Sequence, residues 1–352
     1  MNASSRKGIL LMNLGSPDST NVRDVRKYLN EFLMDERVID VSLLWRFLLV
    51  RGIISPFRAP KSAEAYRSIW TDRGSPLVEL TRQLKTALQD IVTEPVEICM
   101  RYGTPSPKEA LDIFQQKHSE IEEVVLVPLY PHYAMSSYET AAEYAKEIHK
   151  KNKYSFRLSV VEPFYDHPDY INALAESIRP NLNQAFDQLL FSYHGVPERH
   201  ILKGDKTGHH CLQAENCCEV DSPAHAFCYR HQVITTTKLV AEKLKLPSSK
   251  FSYSFQSRLG RDEWLKPYTA QRLAQLPGEG VKKLLIVCPA FISDCLETLE
   301  EIAIQGKEIF LHNGGEEFHF IPCLNVRRDW VETLKKLTHA SKSIAVERST
   351  LQ

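Results

Sequence analysis

A chain of 352 residues is longer than one ordinary domain of roughly 100–200 residues requires, so about two domains are expected. Forty-four Lys and Arg balance forty-four Asp and Glu, which argues against a broad electrostatic grip on nucleic acid or on an acidic membrane. With 43% hydrophobic and 25% charged residues, the composition is that of a globular protein and excludes a disordered or fibrous chain.

The N-terminus begins with basic residues, but its apolar stretch is brief and runs into Gly15-Ser16-Pro17 without a small-residue cleavage pattern. It reads as a strand, not an export signal. Val22, Val25, Leu29 and Phe32 then mark an amphipathic helix. The segment Val41–Phe57 (VSLLWRFLLVRGIISPF) contains Arg46 and Arg51 and falls short of the ~20 apolar residues that a spanning helix needs. Two readings stay open for it: an ordinary buried helix, or a segment that lies on a bilayer or forms an apolar lip around a site.

Eight short β-branched-rich runs read as strands: Gly8–Asn13, Val96–Met100, Val124–Leu129, Arg157–Val161, Gln188–Tyr193, Phe251–Gln256, Lys283–Pro289 and Glu317–Ile321. Helical patterns separate most of them, so the sheets should be parallel and the class α/β. The first interval in each group of four is long, which suggests two halves built on one plan, each with a long insertion after its first strand. In open α/β sheets ligands gather at the carboxyl ends of strands. Polar groups follow there: Arg101-Tyr102-Gly103, Pro131-His132-Tyr133, His194-Gly195, Gln256-Ser257 and Cys288-Pro289-Ala290. Neither a GxGxxG nor a GxxxxGK[ST] accompanies them, which argues against a dinucleotide or nucleoside triphosphate.

His194 stands at a strand end before Gly195 and Pro197, where it can act as a base or metal ligand, or simply brace the turn. A helix opening after LLIVCPA, with Ser293 or Asp294 as its expected cap, would place Glu297 and Glu301 on one face with Glu300 alongside. Such a row is either a solvated face or a path for a cation and protons. A His with a carboxylate and open positions suits a divalent metal that must be released.

The second insertion holds Cys211, Cys217, Cys218 and Cys228 in eighteen residues, with His209, His210, His225 and His231 nearby. Without an export signal the compartment is reducing, so disulfides are the poorer reading. A [2Fe–2S] cluster, zinc and free thiols remain, and the absence of any CxxC weakens zinc.

The segments GILLMNLGSPDS, AYRSIWTDRGSPL, MRYGTPSP, VPLYPHYA, FSYHGVPERH, SFQSRLGRDEWLKP and FISDCLETLEEI, in this order, resemble the successive motifs of the ferrochelatases, from about residue 7 to about 330. The resemblance implies a chelatase-like fold of two similar Rossmann-like domains, each a four-stranded parallel sheet flanked by helices. Residues 1–162, joined by a C-terminal helix at about 326–345, would form the first. Residues 163–325, with the cysteine-rich insertion at about 200–230, would form the second. It implies a lyase of heme biosynthesis that inserts Fe(II), its substrate, into protoporphyrin IX with release of two protons. His194 and Glu297 would be its catalytic and metal-binding pair, and Glu300 and Glu301 a proton or metal path. Leu14, Tyr66, Ser75, Arg101 and Tyr102 would contact the porphyrin. A bacterial subset of the family carries its [2Fe–2S] cysteines internally, and Cys211, Cys217, Cys218 and Cys228 match that arrangement. The place of Val41–Phe57 matches the family's apolar lip, which favours peripheral membrane contact by a cytoplasmic protein. Cys295 departs from the pattern, since many members have His there. Other readings are a chelatase for coproporphyrin or another tetrapyrrole, and a porphyrin or heme carrier without catalysis. Nucleic acid is not an expected partner.

Overall fold

The computed structural model describes residues 6–258, Gly260 and 262–340. Its strands form two four-stranded sheets. The first contains β1 (Lys7–Gly15), β2 (Val96–Tyr102), β3 (Glu123–Pro128) and β4 (Arg157–Val160) in the order β2-β1-β3-β4. The second contains β5 (Gln188–His194), β6 (Phe251–Gln256), β7 (Lys283–Val287) and β8 (Glu317–Ile321) in the order β6-β5-β7-β8. Every pairing is parallel. The α/β class and the two matched halves read from the sequence are what the chain forms.

Over the described residues, backbone packing yields two units. One holds the chain up to 129, 136–162 and 326 onward; the other holds 130–135 and 163–325. In each, the first strand lies inside its sheet with the next two on either side, so the chain reverses direction of growth at that strand. This is the switch point at which open parallel sheets leave a crevice beyond their carboxyl ends.

The strand sequences account for this. Ile9, Leu10, Leu11 and Met12 are at most 1% exposed, as are Leu189, Leu190 and Phe191. Strands covered by helices on both faces need continuous apolar runs of this kind and not an alternating pattern. In the second unit Leu190, Ile286, Ile302 and Phe310 share one core cluster, and each such side chain contributes about 1.5–3 kcal/mol by burial. Strand β7 ends at Val287, two residues before its expected end, because the chain turns there, with Phe291 N–H donating to Cys288 O at 3.1 Å.

The helix Arg328–Ala340 packs on Pro76–Gln89 within the first unit; Trp330 is fully buried and His339 Nε2 lies 3.1 Å from Glu94 Oε1. Residues 341–345 of the expected helix lie outside the described residues.

The segment 43–69 is helical throughout, with a π-helical stretch Leu48–Ile54 between Leu43–Phe47 and Ser55–Ile69. Its burial is inverted. Leu44 and Trp45 are each 69% exposed and Phe57 80%, while Arg46 is buried and donates Nη1–H to Ile39 O at 3.1 Å. The ordinary buried helix is therefore the wrong reading of Val41–Phe57: its large apolar side chains face water. No helix among the described residues is long and apolar enough to cross a membrane.

Candidate functional site

In the second unit the crevice lies beyond β5, β6 and β7. His194 is the last residue of β5 and half-buried. Its Nδ1 is 2.7 Å from the carbonyl oxygen of Gly195, an acceptor, so in the neutral ring Nδ1 carries the proton and Nε2 the lone pair. Tyr229 Oη donates to the His194 carbonyl at 2.9 Å, and Phe291 meets the imidazole edge to face at 6.3 Å. Gly195 N–H donates to Gln256 O at 2.6 Å, and a Cβ at position 195 would stand 2.9 Å from that oxygen, which is why the chain can turn this closely only at a glycine.

Gln256 ends β6 in register with His194. Its Oε1 accepts from Ser192 Oγ at 2.8 Å, and its Nε2 donates to the backbone carbonyl of Glu297 at 2.8 Å. Glu297 lies in the short helix Leu296–Thr298. The expected cap, Ser293 or Asp294, is displaced to Cys295, whose N–H donates to Thr298 Oγ1 at 3.0 Å. The Asp294 carboxylate accepts from Asn325 Nδ2 at 2.7 Å, from the Cys323 N–H at 3.2 Å and from Thr298 Oγ1 at 3.1 Å, so it meets the helix through a side chain and not through a backbone N–H. Burial, and next the Glu297 carboxylate beside it, push the Cys295 thiol well above its ordinary pKa, so it stays neutral.

The helix continues as a π-helix over Leu299–Gly306, a form frequent at functional sites. The carboxylate row divides here. Glu301 accepts from Ser257 Oγ at 2.5 Å, next to Gln256 at the end of β6, whereas Glu300 accepts from Gln305 Nε2 at 2.6 Å in an exposed contact.

In the first unit Leu14 is half-buried near the end of β1. Tyr66 is buried, edge-on to Tyr28 and Trp70, and Ser75 is the buried residue before the helix Pro76–Gln89. Arg101 stacks between Tyr102 (4.3 Å) and Tyr144 (4.0 Å), pairs with Asp35, and donates Nε–H to Thr140 Oγ1 at 2.8 Å. Tyr102 is fully buried and donates its hydroxyl to Asp35 at 2.9 Å, so it supports Arg101 from behind.

The four segment cysteines are all buried. The Cys218 side chain neighbours those of Cys228 and Cys217, and that of Cys211 neighbours Cys228. All four nearby histidines serve backbone: His210 Nε2 and His225 Nε2 bond Cys217 O at 2.7 and 3.0 Å, His231 Nδ1 bonds Cys218 O at 2.8 Å, and His209 Nδ1 bonds Thr207 O at 2.6 Å. The carboxylate of Asp205 accepts from the N–H groups of Thr207, Gly208, His210 and Cys211. Burial alone would raise its pKa, but these bonds and the Thr207 hydroxyl outweigh that and hold it well below the usual carboxylate range. Arg230 Nη1–H reaches Cys217 Sγ at 3.5 Å and the His231 N–H reaches Cys228 Sγ at 3.4 Å. Among the described residues no group of three His, Cys, Asp or Glu side chains is arranged to close on a metal ion.

Sequence reasoning passed over Gln256, Ser257, Tyr229 and Asp205 as site residues. The first two carried a signal, as polar residues directly after a strand; the others did not.

The sequence model of the ferrochelatases matches residues 6–342. The chain belongs to the ferrochelatase family. Ferrochelatase of Pseudomonas entomophila (strain L48) is 50% identical over 93% of this chain and 96% of its own, and that of Pseudomonas fluorescens (strain Pf0-1) 50% over 94% and 96%. Among solved structures, SirB from Bacillus subtilis with Fe3+ has a TM-score of 0.53 at 9% identity, covering 95% of this chain and 96% of that one. The sirohydrochlorin chelatase SirB from Bacillus subtilis subspecies spizizenii in complex with cobalt gives 0.52 at 9%, covering 95% and 94%. At that identity these two show a shared fold. Gln256, in the segment SFQS, is paired in register with the strand-end His194, and Ser257 follows it.

Proposed function

We propose that this chain inserts Fe(II) into protoporphyrin IX to give protoheme, releasing two protons, as a ferrochelatase of heme biosynthesis. The observation that carries the reading is the link from His194 through Gln256 to Glu297 at one switch point, in a chain of this family.

A flat macrocycle keeps its two pyrrole N–H groups in the ring plane, so the metal enters only a bent ring, and binding at the rim supplies the energy for bending. Leu14, Tyr66, Ser75 and Arg101, with Tyr102 behind it, are the proposed rim. The lone pair of His194 Nε2 and the carboxylate of Glu297 accept the pyrrole protons and hold the entering cation. Glu301, tied to Ser257, passes the cation inward or protons outward, with Glu300 at the exposed end. In this reading residues 1–162 with the C-terminal helix and residues 163–325 are the two domains.

Cys211, Cys217, Cys218 and Cys228 would hold a [2Fe–2S] cluster. Four buried thiols that neighbour one another, with N–H donors on two of the sulfurs, suit its thiolate ligands. When bound it supplies a structural clamp and a redox-sensitive group; metal insertion transfers no net electrons. The exposed apolar side chains within 41–57 make a peripheral membrane contact of a cytoplasmic protein.

Anaerobic mixing with Fe(II) and protoporphyrin or coproporphyrin in parallel, read by porphyrin fluorescence and heme absorbance, tests the function. Faster insertion into protoporphyrin is expected. Faster insertion into coproporphyrin would change the substrate, and binding without insertion of either would make the chain a carrier.

A further inference from the structure

The helix Val22–Leu33 carries Arg23, Arg26 and Lys27 at spacings that place them on one face. That face borders an open cavity of about 790 Å³, which Arg51 also lines from the π-helical stretch, together with Glu31, Asp35 and Arg101. Both carboxylates are engaged: Asp35 by Arg101, and Glu31 by the Gly103 N–H at 3.1 Å. Lys27 has Asp18 at 2.9 Å. Arg23, Arg26 and Arg51 are exposed, and among the described residues they enter no ion pair.

Arg51 connects this cavity to a second observation. Its guanidinium lies 5.0 Å over the ring of Phe47, on the helix that turns Leu44, Trp45, Leu48 and Phe57 to water. Large apolar side chains at the lipid boundary with cations at the level of the phosphates are the arrangement of a helix lying in a bilayer interface. The chain as a whole has no net charge, so the attraction has to be local, and here three cations without carboxylate partners supply it.

We infer that the cavity lined by Arg23, Arg26 and Arg51 receives the anionic headgroup of a membrane phospholipid while the exposed helix enters the acyl boundary. This rests on the proposed membrane contact of 41–57 and names the lipid chemistry it selects. A neutral surface would leave three arginines facing it unpaired, whereas a phosphate-bearing anionic one complements them.

Co-sedimentation with vesicles of phosphatidylcholine, with and without a phosphatidylglycerol fraction, tests it. The wild type is expected to bind the phosphatidylglycerol vesicles more tightly, and added salt to remove the difference. Arg23→Gln with Arg26→Gln should weaken that binding about 30-fold at low salt, taking about 1 kcal/mol per cation near an anionic surface. The same double variant should match the wild type on pure phosphatidylcholine and in its KM for porphyrin in lipid-free detergent. Undiminished binding to phosphatidylglycerol would overturn the inference. So would a raised porphyrin KM in detergent, which would assign the cavity to the carboxylates of the substrate. Leu44→Ser with Trp45→Ser should lose binding to both vesicle types; if it binds both like the wild type, the membrane contact itself is wrong, a separate failure.

Discussion

The side-chain amide of Gln256 holds the backbone carbonyl of Glu297 at 2.8 Å. Because Gln256 is paired in the sheet with His194, this one amide sets where the helix bearing Glu297 begins relative to the imidazole. Gln256→Ala would remove the donor to the Glu297 carbonyl and one partner of Ser192 Oγ, which keeps Thr269 Oγ1 at 3.0 Å, at about 0.5–1.5 kcal/mol per lost bond. The expected result is a roughly 10- to 100-fold fall in kcat for insertion, with KM for porphyrin changed less than about threefold, since small misplacements of reacting groups cost this much. An unchanged kcat would show that the amide does not position Glu297.

Glu301 and Glu300 are expected to differ although they are adjacent. Glu301 is bonded to Ser257 at the strand end, and Glu300 to Gln305 in an exposed contact. Glu301→Gln should raise KM for Fe(II) by about tenfold, close to the loss of one charge-assisted contact of about 1.5 kcal/mol. Glu300→Gln should remain within about twofold. Initial rates against Fe(II) concentration check both; equal effects would rejoin the row that the sequence spacing suggested.

The eight strands were legible because strands buried on both faces are written as unbroken apolar runs, and Leu189 to Phe191 leaves little else for that stretch to be. His194 was legible for the same reason, as the first titratable group after such a run. The π-helical stretches at Leu48–Ile54 and Leu299–Gly306 were not, since an i→i+5 turn leaves no pattern distinct from an α-helix over so few residues. The inverted burial of Arg46 and Trp45 was hidden as well, because an apolar run reads alike whether it faces a core or a bilayer. Asn325 and Cys323, thirty-one and twenty-nine residues beyond Asp294, hold its carboxylate, a partnership that local spacing does not reveal.

The cysteine segment depends on Asp205, whose carboxylate gathers the N–H groups leading to Cys211. Purified wild type is expected to be reddish-brown, with visible absorbance lost in Cys217→Ser and reduced by more than half in Asp205→Asn. Removal of one of four thiolates destroys the site, whereas the Asn variant keeps the shape of the side chain but weakens the charge-assisted bonds. Visible spectra and iron content give the answer; a colourless wild type prepared with ample iron would end the cluster assignment.

His132 predicts a pH dependence of stability. Thr236 Oγ1 donates to Tyr165 O at 2.7 Å, so it must accept from His132 Nε2–H at 2.9 Å, and Nδ1 is buried with no partner among the described residues. Burial brings the imidazole pKa from 6.5 down to about 3. Its protonation is therefore easier in the unfolded chain: the contribution is complete above about pH 6.5 and is lost as pH falls from there toward 3. Between pH 6.5 and 5.5 the wild type should lose about 1 kcal/mol more unfolding free energy than His132→Asn. Denaturant melts at the two pH values measure this, and parallel losses would contradict a neutral buried His132.

In the proposed mechanism His194 and Glu297 together take the pyrrole protons and receive the metal. Single-turnover insertion of Fe(II) into bound protoporphyrin, measured anaerobically for the wild type, His194→Ala and Glu297→Ala, tests it most directly. Each variant is expected to quench still on binding porphyrin but to insert metal about 10²- to 10⁴-fold more slowly. Near-native insertion by either variant would contradict it.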